Sequence, residues 1–300
     1  MGGVVCLCLG TRDASAFCRT TTCDPTEDVG GCARDAADCA TRGEPLFWPD
    51  TCVTYAVQRD GSRLRGISAY ATDQAMRGAF AAWLGTECPG GGRPSIGVIP
   101  LGGATCDQVE FNPPSGGRAG APNANIVIFR DDAWPYPDEF SVIARTSLTF
   151  DPTTGAIFDA DIEINSFDNE FSTSDAAISN DLQAVLTHEV GHFLGLDHSL
   201  DPYATMRWNY PLSNLGARTL ANDDQAGICS IYAPLEGGNP ACPGNTGPHH
   251  GFSRECGSDL QADASCLSLA ARTPARDQGN LAWLAVGTLA VARRRRQWSR

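Results

Sequence analysis

His188 and His192 stand four positions apart, Glu189 directly follows the first, and His198 comes six residues after the second. Side chains at i and i+4 project from one face of an α-helix, so both imidazoles can reach a single ion. Zn²⁺ takes neutral imidazole nitrogens at about 2.0–2.1 Å and prefers four tetrahedral ligands. Gly195 suits the left-handed position just past a helix end, and a turn there brings His198 back as a third ligand. Three protein ligands leave one position for water, the arrangement of a catalytic zinc rather than a structural one. Glu189 is not placed to share the ion comfortably, which makes it the candidate base that takes a proton from that water. The two remaining His, His249 and His250, form an adjacent pair elsewhere in the chain.

The elements that must position these residues are legible from periodicity. A helix is predicted over 180–194, with Asn180 at the N-cap, Gln183 three residues on, and a buried stripe of Leu182, Val185, Leu186, Val190 and Phe193. A second helix runs from a Ser68 cap to Trp83, with Ala75, Met76, Ala79 and Phe80 at three-and-four spacing. A third is predicted over 223–232. Strands are predicted over 52–57, 94–100, 125–129, 145–150 and 157–164, the last two joined by a Pro/Gly turn over 151–155. Along 157–164 the acids Asp159, Asp161 and Glu163 alternate and so share one strand face, where bare like charges repel. Two readings stay open there: a Ca²⁺ taking those oxygens at about 2.3–2.6 Å, or a solvated acidic face.

Composition narrows the partners. The chain has 300 residues, enough to bury a real core, and a net charge of −13 with every basic residue an Arg. Five of those Arg lie in the last eight positions. The body of the chain is thus still more acidic, and no basic footprint for nucleic acid is expected. Thirteen Cys without paired knuckles read as disulfides of an exported protein. Cys18, Cys23, Cys32 and Cys39 should form two local bridges in one of three connectivities, and Cys88 with Cys106 is a first expected pair.

The chain divides into a shortened export signal over 1–16, a Cys-rich segment over 17–45 and a main domain over 46–235. A Gly/Pro-rich linker with a Cys-containing segment follows over 236–280, then a hydrophobic, Arg-ended tail over 281–300. The apolar run 281–292 covers about 18 Å of an about 30 Å hydrocarbon core, too short for a stable span. Four Arg after it favour a cytoplasmic end. The tail resembles the tripartite C-terminal sorting tails of Gram-negative bacteria, the myxobacterial MYXO-CTERM type in particular, with Cys266 the nearest candidate for their Cys. The expectation is transient membrane association through this tail and a monomer released to the cell surface or the medium.

The stretch His188-Glu189-Val190-Gly191-His192-Phe193-Leu194-Gly195-Leu196-Asp197-His198-Ser199 resembles the metzincin zinc signature, and its Leu-Asp-His-Ser ending resembles that of the matrixins. Met206, eight residues on, resembles the Met-turn that packs beneath the zinc ligands. The likeness covers roughly 46–234, with Trp48, Thr54 and Tyr55 similar to the first matrixin strand. It implies an α+β fold: a twisted, mostly parallel sheet with one edge strand reversed, an active-site helix and a small C-terminal subdomain. It also implies a zinc endopeptidase acting on extracellular protein or peptide, with the 145–150 strand as the rim that aligns substrate. The alternative is an inactive zinc-holding envelope protein that binds without cleaving. Two departures stand out. No His precedes His188, so the second, structural zinc of animal matrixins, built from His and Asp, is expected to be missing here. Trp208 stands where matrixins usually place a Pro, with Tyr210 a candidate for the wall of the specificity pocket.

Overall fold

A computed structural model describes residues 17–23, 31–105, 109, 125–136, 142–175, 179–208 and 215–242, together with the backbone of 294–296. The expected export signal, the 281–292 run, Cys106, Cys266 and Tyr210 lie outside the described residues. In chain order the elements are β1 (Cys18–Arg19), β2 (Cys52–Gln58), α1 (Ala69–Leu84), β3 (Gly97–Ala104), β4 (Ile126–Phe129), β5 (Ala144–Phe150), β6 (Ile157–Ile164), β7 (Phe171–Ser172) and β8 (Asn180–Asp181). Then come α2 (Leu182–Phe193), β9 (Leu196–Asp197), a 3₁₀ turn over Leu215–Arg218, α3 (Asn222–Ile231) and β10 (Arg294–Arg296).

The main sheet has the order β10-β5-β6-β4-β2-β3. β3, β2, β4 and β6 are parallel to one another, and β5 runs antiparallel to β6. The reversed strand expected from the family resemblance is therefore β5. Its outer side carries β10, antiparallel, with Arg294 opposite Thr149 and Arg296 opposite Ser147.

Strand alternation sorts the sheet into two faces. Val53, Tyr55 and Val57 of β2, Val127 of β4, Ile162 of β6 and Leu148 of β5 pack with α1 and α2 in one core. A smaller cluster of Ala56, Ile126 and Ile128 covers the opposite face. The helices interlock through aromatics, Phe193 of α2 meeting Phe80 of α1 edge-on at 5.4 Å and Trp48 at 5.3 Å. The Trp83 indole N–H of α1 donates to the carbonyl of Thr187 at 2.7 Å, fixing α1 against the start of the zinc-helix motif.

Local expectations shift where distant groups intervene. β3 begins at Gly97 and ends at Ala104, later than predicted, because it follows β2 in parallel register from Cys52 opposite Gly97 to Gln58 opposite Ala104. The expected Cys88–Cys106 pair does not form. Cys88 bonds Cys229 of α3 instead. The Cys-rich segment resolves its three connectivities as Cys18–Cys39 and Cys23–Cys32, and Cys52 joins Cys242 in the segment read as a linker. Residues 17–23 are not detached from the main domain: β1 pairs with β9, Cys18 opposite Asp197. Among the described residues no helix is long and apolar enough to cross a membrane.

Candidate active site

α2 starts one residue later than its sequence suggests. Asp181, not Asn180, is the N-cap, accepting from the Ala184 N–H at 2.8 Å. The carboxylate wins over the neutral amide because it sits at the positive end of the helix and Arg218 donates to both of its oxygens. Asn180 pairs with Phe171 in the β7–β8 ladder, so the expected Asn180–Gln183 box does not form. At the other end, the Trp48 indole donates to the carbonyl of Phe193 at 2.8 Å and the Tyr232 hydroxyl to that of Leu194 at 3.0 Å. These satisfy carbonyls that a helix end leaves without intrahelical partners. Gly195 then adopts φ 98°, and a Cβ there would lie 2.5 Å from the carbonyl oxygen of Leu46. Only glycine combines that turn with that approach.

The turn returns the chain as expected. Residues 17–23 hold it there: the Thr20 N–H donates to Gly195 O at 3.0 Å and the Thr20 hydroxyl to Leu196 O at 2.9 Å. His198 arrives beside the α2 pair, and one nitrogen from each of His188, His192 and His198 lies within 4.8 Å of the others. Among the described residues this is the one group of three or more metal-type side chains so gathered. His188 Nδ1 meets the carbonyl of Thr205 at 2.7 Å and His192 Nδ1 that of Leu196 at 2.9 Å. A carbonyl only accepts, so each Nδ1 carries the hydrogen and each Nε2 presents a lone pair.

The donor set fits zinc. His188 Nε2 is buried without a hydrogen-bond partner, and the Nε2 atoms of His192 and His198 stand 3.2 Å apart. Two ligands of one tetrahedral Zn²⁺ would be about 3.3 Å apart at Zn–N of about 2.0–2.1 Å. Burial first, then neighbouring His188, pushes the His192 imidazole down to about 3. Burial first, then His192 and His188, lowers that of His198 as well. Both rings are neutral donors at physiological pH, as a zinc ligand must be.

Met206 is buried beneath this group. A Cβ on Gly191 would fall 2.1 Å from Met206 Sδ and 2.7 Å from Trp83 Cζ2, so the thioether packs directly on the helix between the two ligands. The turn that carries it is fastened by α3. Asp224 accepts from the N–H groups of Thr205 at 2.7 Å, Met206 at 3.0 Å and Ala221 at 2.9 Å. Ser199, after the third ligand, donates to Asp223 at 2.6 Å. These two α3 carboxylates were legible in the sequence only as part of a helix start. Trp208 follows the Met-turn with 45% of its surface exposed.

Glu189 is buried, and its carboxylate Oε2 accepts from the Thr146 hydroxyl of β5 at 2.7 Å. Sequence reasoning passed over Thr146. The available signal was alternation: Ala144, Thr146, Leu148 and Phe150 share the core face, and a lone hydroxyl there needs a partner.

Asp159, Asp161 and Glu163 face away from this site and are buried rather than solvated. Glu163 accepts from Arg130 at 2.7 Å and from the Tyr136 hydroxyl at 2.5 Å. The Arg145 guanidinium lies 3.9 Å from the centre of the Tyr136 ring, and Asp161 accepts from the Ile126 N–H at 3.0 Å. Glu163 is thus charge-balanced by an Arg within the protein.

Residues 128–233 match the matrixin family, Peptidase M10. The chain is 28% identical to neutrophil collagenase of Homo sapiens over 227 residues, covering 75% of this chain and 40% of that protein. It is 28% identical to matrix metalloproteinase-16 of Homo sapiens over 192 residues, 62% of this chain and 27% of the relative. With interstitial collagenase of Oryctolagus cuniculus it shares 45% identity over 83 residues, 28% of this chain and 16% of the relative. The chain therefore spans 40% or less of the length of these relatives. The fold is the α+β, metzincin-like one that the motif implied, and the general class the similarities support is zinc metallopeptidase.

Proposed function

We propose that this protein is a zinc-dependent endopeptidase of the matrixin type that hydrolyses peptide bonds of extracellular proteins. The observation that carries the proposal is the convergence of His188, His192 and His198 beside a buried Glu189 that is hydrogen-bonded but not itself in the ligand group. When bound, zinc supplies Lewis-acid polarisation of the scissile carbonyl and acidifies a water. Glu189 accepts the proton of the attacking water and passes it to the leaving amine nitrogen. The backbone carbonyls of Thr205 and Leu196 keep His188 and His192 in the tautomer that leaves Nε2 free to bind metal. β5 is the strand beside Glu189, and an extended substrate would hydrogen-bond along its outer side by strand addition, in the place that β10 takes in this structure.

The four disulfides among the described residues support a protein that works in an oxidising compartment outside the cytosol. The Arg-ended tail would hold the chain at the inner membrane until processing releases it. Calcium at Asp159, Asp161 and Glu163, in competition with the Arg130 contact to Glu163, is a secondary proposal that rests on the family resemblance.

The deciding experiment is a peptide-library digest with the full chain and with Glu189→Ala, zinc content being measured on both. Cleavage should fall by about 10²–10⁴-fold in the variant while zinc stays stoichiometric. Loss of metal from Glu189→Ala would show that Glu189 is a ligand rather than the base. A zinc-loaded wild-type chain that cleaves nothing would leave the binding-protein alternative standing.

A further inference from the structure

We infer that Thr146 is a positioning residue that holds the Glu189 carboxylate in its working orientation, an inference that rests on the endopeptidase reading above. The geometry is specific to one side chain. The Thr146 hydroxyl lies 2.7 Å from Glu189 Oε2 and 3.1 Å from the main-chain carbonyl oxygen of that same Glu189. One oxygen atom thus touches both ends of a single residue. A Glu side chain has three rotatable bonds, and the outer one is broad rather than well-defined. Tying the far carboxylate to a hydroxyl on the neighbouring strand removes that freedom.

The hydroxyl has one hydrogen to give. The shorter contact and the charge both assign it to the carboxylate, because a hydrogen bond to an ionised acceptor is the shorter and stronger kind. Thr146 is completely buried and Glu189 nearly so, so water is a poor substitute for either partner. The Thr146 side chain is itself immobile: it is β-branched and therefore restricted at χ1, and its backbone sits in the ladder opposite Ile162 of β6. The orientation of Glu189 is thereby referred to the sheet rather than to the helix alone.

β5 is the strand along which an extended peptide would lie, and Thr146 belongs to β5. The strand that would fix the substrate backbone and the hydroxyl that fixes the proton acceptor are one rigid element. A small slip of β5 against α2 would shift both together, preserving their relation. The helix motif alone would give no such coupling.

The test uses the zinc-loaded full chain with Thr146→Val, which keeps the branched shape and removes the hydroxyl, and Thr146→Ser, which keeps the hydroxyl. Thr146→Ala takes the place of the Val chain if that does not fold. For Val, kcat should fall by about 10- to 100-fold, the range for losing a supporting hydrogen bond around a metal site, while KM and zinc stoichiometry stay at wild-type values. Thr146→Ser should recover most of the loss, which a purely packing role would not produce. Independently of turnover, crystals of zinc-loaded Thr146→Val should show the Glu189 carboxylate displaced from its wild-type rotamer. An unchanged kcat in the Val variant, no recovery in the Ser variant, or an unmoved carboxylate overturns the inference. A wild-type chain without activity defeats the endopeptidase reading, and the rotamer measurement then still decides the role of Thr146.

Discussion

Gly191→Ala sets two effects of opposite sign against each other inside the zinc helix. In an unconstrained helix the change stabilises by about 0.8–1.0 kcal/mol, because Ala loses less backbone freedom than Gly. Here the new methyl would stand 2.1 Å from Met206 Sδ and 2.7 Å from Trp83 Cζ2. A flexible thioether in open space could swing away, but Met206 is 2% exposed and Trp83 is fully buried. Trp83 is also tied by its indole N–H to Thr187. Neither neighbour can yield without moving α1 or the Met-turn, and overpacking of this kind costs about 1–3 kcal/mol, occasionally more. The steric cost should win, leaving a net destabilisation of about 1–2 kcal/mol. For a domain of this size that corresponds to a fall in Tm of roughly 2–8 °C. Thermal unfolding of the zinc-loaded proteins measures it, and a competition titration should show weaker zinc binding, since the displaced turn lies between His188 and His192. Combining Gly191→Ala with Met206→Ala should cost clearly less than the sum of the single changes, as expected for side chains in contact. A Gly191→Ala protein that melts at or above the wild-type temperature would refute the packing argument and leave helix propensity in command.

Asp224→Ala should destabilise by on the order of 3 kcal/mol, because it strands the N–H groups of Thr205 and Met206 in the interior. It should also weaken zinc binding, since Thr205 is the residue whose carbonyl orients His188; chemical unfolding and metal titration read the two effects. Ending the chain after Gly244 removes β10 from the outer side of β5 while keeping Cys242. If an extended substrate uses that side, kcat/KM should rise in the shortened chain with zinc content unchanged, and an equal kcat/KM in both chains would show that β10 does not compete.

What could be read from the sequence was whatever short-range spacing dictates. The i, i+4 pair of His188 and His192, the Gly195 turn and the return of His198 lie within eleven residues, and helix geometry alone brings them together. Ser68 and the stripe ending at Trp83 are of the same kind, and the observed helix follows them. Where a long-range partner decides, the sequence was silent. Asp181 displaces Asn180 as the cap on the strength of Arg218, 37 residues later. Cys88 finds Cys229, a partner 141 residues away that no local spacing announces. Thr146 looked like an ordinary strand residue until β5 was seen beside Glu189. The alternating acids of β6 invited a metal, but Arg130, itself far from the strand in sequence, reaches Glu163 first.

The Cys52–Cys242 bond closes a covalent ring over residues 52–242, and Cys88–Cys229 draws a second ring inside it. Ring closure changes what a broken backbone means. A linear chain cut once becomes two molecules, whereas a ring cut once becomes a single opened chain. A peptide bond severed anywhere between residues 52 and 242, by this protein or another, leaves the fragments joined. Between residues 88 and 229 a first cut opens both rings and still separates nothing. The helix with His188 and His192 and the turn with His198 and Met206 all fall inside both rings. In surroundings rich in proteases, including further copies of itself, the molecule can therefore accumulate a nick without losing the pieces of its metal site to one another.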